Sequence, residues 1–392
     1  MRPTDHHPLL LAALRQDHAD GGSFPQTRPQ WHALATASAR TGLAGLILEK
    51  AAALDVQIPA PIAEHLRRAA FAVAAENVHL LRELENVVQT LHRAEIPVIL
   101  LKGAALNLTA HARPDLRPMS DLDLLVRHAD ADRARRALET AGCHRGAPLL
   151  CDDFFPRFYY ETEYFTAATR PARIDLHARP FRPMRYACTV REDAFWRGAQ
   201  AVCCGSFTVF IPRPSVMFIH LAAHAAFHGC SRLVWLHDLQ RFALHHGSNL
   251  DWTEVARISK KWSLTLAVRT AIDQATALLG DFVPPDVRAH LAAQRAGWRD
   301  RLVLARAPRD AESPALQVMS TLLTTPSLRM RWGYLGAHLW PGDDHLQTKS
   351  SGRRGLRQVA RWCALAPRCA RSAGEMALGT GTRSAARHPE AG

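Results

Sequence analysis

The sequence predicts an α+β fold, in which a small α/β core with a mixed sheet is embedded between mainly helical N- and C-terminal regions. Three observations lead there. Residues 8–95 carry apolar positions at helical spacing, residues 96–180 switch to short branched runs around a glycine turn, and helical spacing returns from Pro214 to about Leu339. The chain has 392 residues, more than one hydrophobic core usually fills, so either two domains or one domain with large helical additions is expected. The expected divisions are a helical region at 1–95, the α/β core at 96–212, a second helical region at 213–345 and a basic tail at 346–392.

Leu9, Leu10, Ala13 and Leu14 open the helical pattern, and Trp31, Leu34, Ala35 and Ala39 continue it. Pro59 and Pro61 break it, with Pro61 suited to the first turn of the next helix. That helix should run from about Ala63 to Ala94, with Leu80, Leu84, Val87, Val88 and Leu91 on its apolar face. Ile96 to Leu101 then reads as a buried strand, Gly103 to Ala112 as a helix and Arg113 to Ser120 as a loop. Leu122 to Val126 is a second strand and Ala129 to Thr140 an amphipathic helix stopped by Gly142. Phe158 to Thr166 and Arg173 to His177 are two further strand candidates. A helix-like stretch at Leu356 to Leu365 interrupts a Gly-, Ser- and Arg-rich tail, whose final residues have a disorder-prone composition.

Hydrophobic content of 47% with 22% charged residues is ordinary globular usage. No apolar run approaches the eighteen or so residues of a membrane span, and the block at Leu9–Leu14 is too short and wrongly flanked for a signal peptide. Eight cysteines include no CxxC pair, so a reduced, cytoplasmic protein is expected, with the cysteines as structural fillers. The formal charge is +13. From residue 349 onward nine Lys/Arg face two acids, which puts +7 in the tail and only +6 in the rest. The body is mildly basic, as suits a phosphate-handling protein, and the tail is a candidate contact for RNA or an acidic partner.

The sharpest local signal is Ser120-Asp121-Leu122-Asp123-Leu124-Leu125-Val126. Strand alternation puts Asp121 and Asp123 on one face, where two carboxylates can hold a hard divalent cation; the bland alternative is an exposed edge with two solvated acids. Upstream, Lys102-Gly103-Ala104 sits where a strand turns into a helix. Gly103 permits close backbone approach to a phosphate at a helix N-terminus and Lys102 adds a positive charge, although the spacing is not that of a Walker A loop. Downstream, Asp175 interrupts the apolar run at Arg173–His177, a costly place for a charge unless a cation or hydrogen bond compensates. A third carboxylate beside an Asp pair would complete a two-metal site. His177 shares its face by alternation.

This order of features resembles the minimal nucleotidyltransferase domain of the polymerase-β-like superfamily. More narrowly, it resembles a bacterial nucleotidyltransferase family with an L-K-G-x-x-L turn, an R-x-x-S-D-hydrophobic-D-L-L-V strand and an I-D-L-H strand. Here these are Leu101–Leu106, Arg117–Val126 and Ile174–His177. The resemblance covers about residues 8–345, most specifically 98–180. It implies a minimal nucleotidyltransferase core and an enzyme that moves an NMP from an NTP to an acceptor. It also implies Asp121, Asp123 and Asp175 as metal ligands and catalytic residues for Mg²⁺ (or Mn²⁺), with Gly103 as the phosphate-turn glycine. ATP is the first-choice donor, and the acceptor stays open among small molecules, protein and RNA. Asp175 is the candidate base. Lys102, Ala104, Ser120 and Arg117 complete the candidate nucleotide-binding set, Arg117 as a phosphate contact from the loop. In the wider superfamily the turn is Gly-Ser, whereas this chain has Gly103-Ala104 and lacks that hydroxyl. The departure motivates the alternative of a non-catalytic nucleotide- or partner-binding protein.

His220, His224 and His228 fall on one helical stripe, followed by His237-Asp238. Three readings stand: a helix packed beside the site with His220, His224 and Asp238 lining the cleft, a nucleotide- or acceptor-contacting wall, or an HD-type phosphohydrolase centre on His237 and Asp238.

Overall fold

The computed structural model describes residues 7–15, 24–146, 161–306 and 314–339. Helices come first: α1 (Pro8–Leu14), α2 (Arg28–Thr41), α3 (Ala44–Ala53) and α4 (Ala60–Arg93). A capping box starts α2, with the Thr27 side chain accepting from the Gln30 N–H and the Gln30 side chain accepting from the Thr27 N–H. Pro61 lies in the first turn of α4, which therefore begins three residues before the expected Ala63. Leu80, Leu84, Val87, Val88 and Leu91 form its buried stripe, as the spacing requires.

The sheet comprises β1 (Ile99–Leu100), β2 (Leu122–Leu125), β3 (His144–Arg145), β4 (Glu161–Phe165), β5 (Arg173–His177), β6 (Gln200–Cys204) and β7 (Phe207–Ile211). These seven lie in the order β3-β4-β5-β2-β1-β7-β6. The β1–β7 and β2–β5 pairs are parallel and the other four antiparallel, so the sheet is mixed and the fold is α+β. The ladder takes only two residues of the apolar run at 96–101. Pro97 has no N–H to give, and the Leu101 N–H goes to the Asp123 carbonyl as the chain turns into a helix. The β6–β7 hairpin was not among the expected strands. Its apolar residues do not alternate cleanly, and the tight turn at Gly205 (φ 57°) is the local signal for it. The strand expected over 158–166 is described from Glu161 on, and the basic tail with its expected helix at 356–365 lies outside the described residues.

Around the sheet are α5 (Lys102–Thr109), α6 (Ala131–Thr140), α7 (Met184–Thr189) and α8 (Asp193–Trp196). Beyond it follow α9 (Pro214–Phe227), α10 (Leu233–His246), α11 (Trp252–Lys261), α12 (Thr265–Leu279), α13 (Pro285–Ala293), α14 (Trp298–Ala305), α15 (Pro314–Thr324) and α16 (Leu328–Leu339). Nearly every residue of α9 is buried, because it packs against α10, α11 and α12 at once. One cluster of buried side chains runs from Leu10 to Leu291. Among the described residues no helix is long and apolar enough to cross a membrane.

One polar side chain deep in this core shapes the loop before β2. Asn77, fully buried on α4, donates through Nδ2 to the carbonyls of Pro114 and Arg117, both at 2.6 Å, and accepts the Met119 N–H through Oδ1 at 3.0 Å. A loop without ladder partners thereby satisfies three backbone groups against a rigid helix. Asn77→Ala should cost about 2–4 kcal/mol, because the Pro114 carbonyl and the Met119 N–H would lose this partner and the Arg117 carbonyl would keep only the 3.4 Å bond from Asn107 Nδ2. Urea denaturation would measure the loss, and a change below about 1 kcal/mol would contradict this account of the loop.

Candidate functional site

Parallel pairing of β2 with β5 aligns Asp123 with Asp175 and Leu125 with His177; antiparallel pairing of β5 with β4 aligns His177 with Glu161 and Asp175 with Glu163. With a side-chain period of two, Asp123, Asp175, His177, Glu161 and Glu163 share one face of the sheet, and Asp121 stands just ahead of β2. Asp121, Asp123, Glu161 and Asp175 form the acidic side of a cleft of about 630 Å³. Arg40, Thr41 and Gly42 at the end of α2, Arg182 after β5, and His224, His228, Arg232 and Trp235 in and beside α9 and α10 also line it.

Burying this much negative charge requires compensating cations or hydrogen-bond donors, and the chain supplies them locally. Lys102 Nζ lies 2.6 Å from Asp123 Oδ1, and His177 Nε2 lies 2.9 Å from the same oxygen. Burial by itself would raise the Asp123 carboxyl, but Lys102 and His177 outweigh it and hold the carboxyl well below the usual carboxylate range. Burial likewise opposes charge on Lys102, yet Asp123, Glu161 and Asp121 keep its ammonium above the ordinary lysine value. To reach that position Lys102 adopts φ 45°, in the left-handed region a non-glycine residue rarely occupies. Asp175 is held by Arg173, two residues earlier on the same face, through Nε to Oδ1 at 3.1 Å and Nη2 to Oδ2 at 2.9 Å. Arg173 also pairs with Glu163 at 3.0 Å and reaches Asp121 at 4.0 Å. Asp121 is the acid left least compensated: burial, then the charge of Asp123, push its carboxyl up to about 6.

The structure brings Lys102, Gly103, Arg117, Ser120, Asp121, Asp123 and Asp175 together on one cleft. Of the other expected residues, His224 also lines it, whereas Ala104, His177, His220 and Asp238 do not. Ala104 is fully buried and does not line the cleft, so it offers no side chain to a ligand. Arg117 is buried, and its guanidinium is committed to Asp238, Nε to Oδ1 and Nη2 to Oδ2 both at 2.9 Å. That bidentate pair ties the loop before β2 to α10 and puts Asp238 behind Arg117 rather than on the cleft wall. Burial keeps the Asp238 carboxyl above its ordinary value despite the guanidinium. Gly103 is explained by the same pair. A methyl there would come within 2.5 Å of Arg117 Nη1, an atom fixed by its partners.

His177 and His220 also lie beneath the cleft surface rather than on it. His220 packs between Phe181 and Phe195, where burial lowers its imidazole to about 3, so it is neutral at physiological pH. His224 and His228 do reach the cleft, tilted against each other, His228 tilted against Trp235 and His224 edge-on to it, with Arg232 5.0 Å over the indole. The HD-type arrangement does not form. Among the described residues the group of three able to share a metal is Asp123, Glu161 and His177, and Asp238 is spent on Arg117.

Sequence reasoning missed Glu161, Arg173 and Asn77. Glu161 and Glu163 alternate with buried Thr162 and Tyr164, and Arg173 stands two residues before Asp175, so strand parity was the available signal for both. Asn77 carried none, because a polar residue on a helix otherwise reads as solvated.

A small mixed sheet with a face of clustered carboxylates, reached through a glycine strand-to-helix turn and flanked by helices, defines a nucleotidyltransferase-type scaffold. The chain belongs to the uncharacterised nucleotidyltransferase family, whose model matches residues 27–280. No curated protein matches it significantly. A solved antigenic nucleotidyltransferase-like protein from Paracoccidioides brasiliensis is similar over 56% of this chain and 94% of its own, at 11% identity and a TM-score of 0.31, a level that decides nothing further about this chain.

Two outcomes check this electrostatic account. Arg117→Met should destabilise by about 3–5 kcal/mol, and adding Asp238→Leu should recover most of the loss, because an unpaired buried charge costs more than an apolar pair; chemical denaturation of both variants would show it. Asp121→Asn should stabilise the fold at pH 7.5 by about 1–2 kcal/mol. A folded-state carboxyl raised to about 6 contributes stability only while protonated, fully below about pH 4 and lost as pH rises through 6. Thermal melts should therefore show the gain at pH 7.5 and none at pH 4.

Proposed function

We propose that the protein is a Mg²⁺-dependent nucleotidyltransferase that moves an NMP from an NTP, with ATP the first-choice donor, to an acceptor hydroxyl or phosphate. The observation that carries this reading is the convergence of Asp121, Asp123 and Asp175 on one cleft beside the N-terminus of α5. The donor set suits a hard divalent ion: carboxylate oxygens lie on one face, and the Lys102 ammonium already stands against Asp123 as a cation would. Asp121, Asp123 and Asp175 would hold the metal, which when bound neutralises phosphate charge and assists in-line displacement at the α-phosphorus.

The protein's own groups do the remaining work. The first N–H groups of α5 would meet the phosphate end, while the space beside Gly103 is taken by the Arg117 guanidinium. Ser120, exposed at the cleft, and Lys102 supply further phosphate contacts. Arg117 acts one step back, fixing the turn through Asp238, rather than as the direct contact expected from its place in the loop. Asp175, oriented by its two hydrogen bonds from Arg173, accepts the acceptor's proton as pyrophosphate departs. The unpaired described cysteines fit a reducing cytoplasmic setting.

A second reading, nucleotide or partner binding without transfer, draws on Ala104, since no hydroxyl stands at that turn. Incubation of the purified protein with each α-labelled NTP, Mg²⁺ or Mn²⁺ and a cell extract decides between them. Label should appear in one acceptor class together with pyrophosphate, and Asp123→Asn should reduce release roughly 10³-fold. Nucleotide binding with no release under any acceptor pool would favour the binder.

A further inference from the structure

Asp123, Glu161 and His177 come from three adjacent strands, and one ligand-capable atom of each lies within 4.8 Å of the others. His177 Nε2 is 2.9 Å from Asp123 Oδ1 and 3.5 Å from Glu161 Oε2. An ion with bonds of about 2.1 Å sets neighbouring ligand atoms roughly 3 Å apart, so the two separations from His177 need little adjustment. The place already attracts a cation, because the Lys102 ammonium sits 2.6 Å from the same Asp123 oxygen. Lys102 comes from the cleft side, which it lines, whereas His177 is fully buried beneath.

The geometry points to a divalent-metal site on Asp123, Glu161 and His177, which shares Asp123 with the three-aspartate set and takes Glu161 and His177 as its other donors, with Lys102 as the resident cation that the ion displaces into the cleft. The charges balance better after exchange. Two carboxylates meet one ammonium in the structure as it stands; a divalent ion matches both and frees Lys102. His177 ligates as a neutral ring, its Nε2 proton passing to Nδ1. An imidazole donor shifts preference away from Mg²⁺, which favours oxygen, towards Mn²⁺, Co²⁺ or Zn²⁺. The inference rests on the nucleotide reading only in giving the freed ammonium a phosphate to meet.

Mn²⁺ titration of the full chain without nucleotide tests it, using electron paramagnetic resonance with spin-echo detection of ¹⁴N coupling. We expect a bound Mn²⁺ with an imidazole-nitrogen signature that excess Mg²⁺ competes for poorly. His177→Gln should abolish the signature, and Lys102→Met should bind Mn²⁺ about tenfold more tightly. Should His177→Gln fail to fold by circular dichroism, Glu161→Gln serves instead, with weaker binding and the nitrogen signature kept. Mn²⁺ bound without nitrogen coupling, no binding at millimolar ion, or unchanged affinity in Lys102→Met would each overturn the site. Pyrophosphate release in Mg²⁺ on the same preparations keeps the two readings apart. Release without a nitrogen-coupled ion sinks this site and leaves nucleotidyl transfer standing.

Discussion

A carboxylate that is 2% exposed in the middle of a sheet can exist only if its neighbours neutralise it, and Asp123 imposes that requirement on everything around it. Lys102 takes up a left-handed backbone conformation to reach it, and His177, two residues on from Asp175, turns its Nε2 toward the same oxygen. Asp175 obeys the same rule through Arg173. The floor of the cleft is thus an alternating lattice of acids and bases rather than a simple acidic patch. Apolar residues of similar volume would be cheaper to bury there. An arrangement this costly, with Asp121 left undercompensated beside it, is the pattern expected of a site kept for chemistry.

The lattice must also be held in register with the rest of the molecule. Gly103, Arg117 and Asp238 form one mechanical unit: the glycine leaves room for the guanidinium, and the guanidinium grips α10 from the loop before β2. Asn77 fixes the same loop from α4. Two helices, α4 and α10, therefore hold the loop that carries Ser120 and Asp121. The far wall, where Trp235 meets His224, His228 and Arg232, comes from the same C-terminal helices. Its rings and the Arg232 guanidinium line the same cleft as the acids.

Much of the fold was legible because it follows from periodicity. The apolar stripe of α4, the strands at 122–125 and 173–177 and the helix at 131–140 stand where spacing puts them, within a few residues. The β6–β7 hairpin was not legible as strands, since its partner β1 lies about a hundred residues earlier and only that pairing completes the sheet. Arg117 shows the limit for the site. An arginine next to an acidic motif reads as a phosphate contact, yet its partner Asp238 is 121 residues away.

The sequence by itself determined which residue types carry charge, their parity on each strand and the glycine turn, since these depend on neighbours within a few positions. Parity put Asp121 and Asp123 on one face, and the resemblance to the nucleotidyltransferases supplied Asp175 as the third acid. Only tertiary structure decided which carboxylates are neutralised and by what, that Glu161 joins Asp123 and His177, and that Asp238 backs Arg117 instead of serving a histidine metal centre. Those outcomes depend on burial and on pairing between distant segments, and the cost or gain of a charge is fixed by its surroundings rather than by its identity.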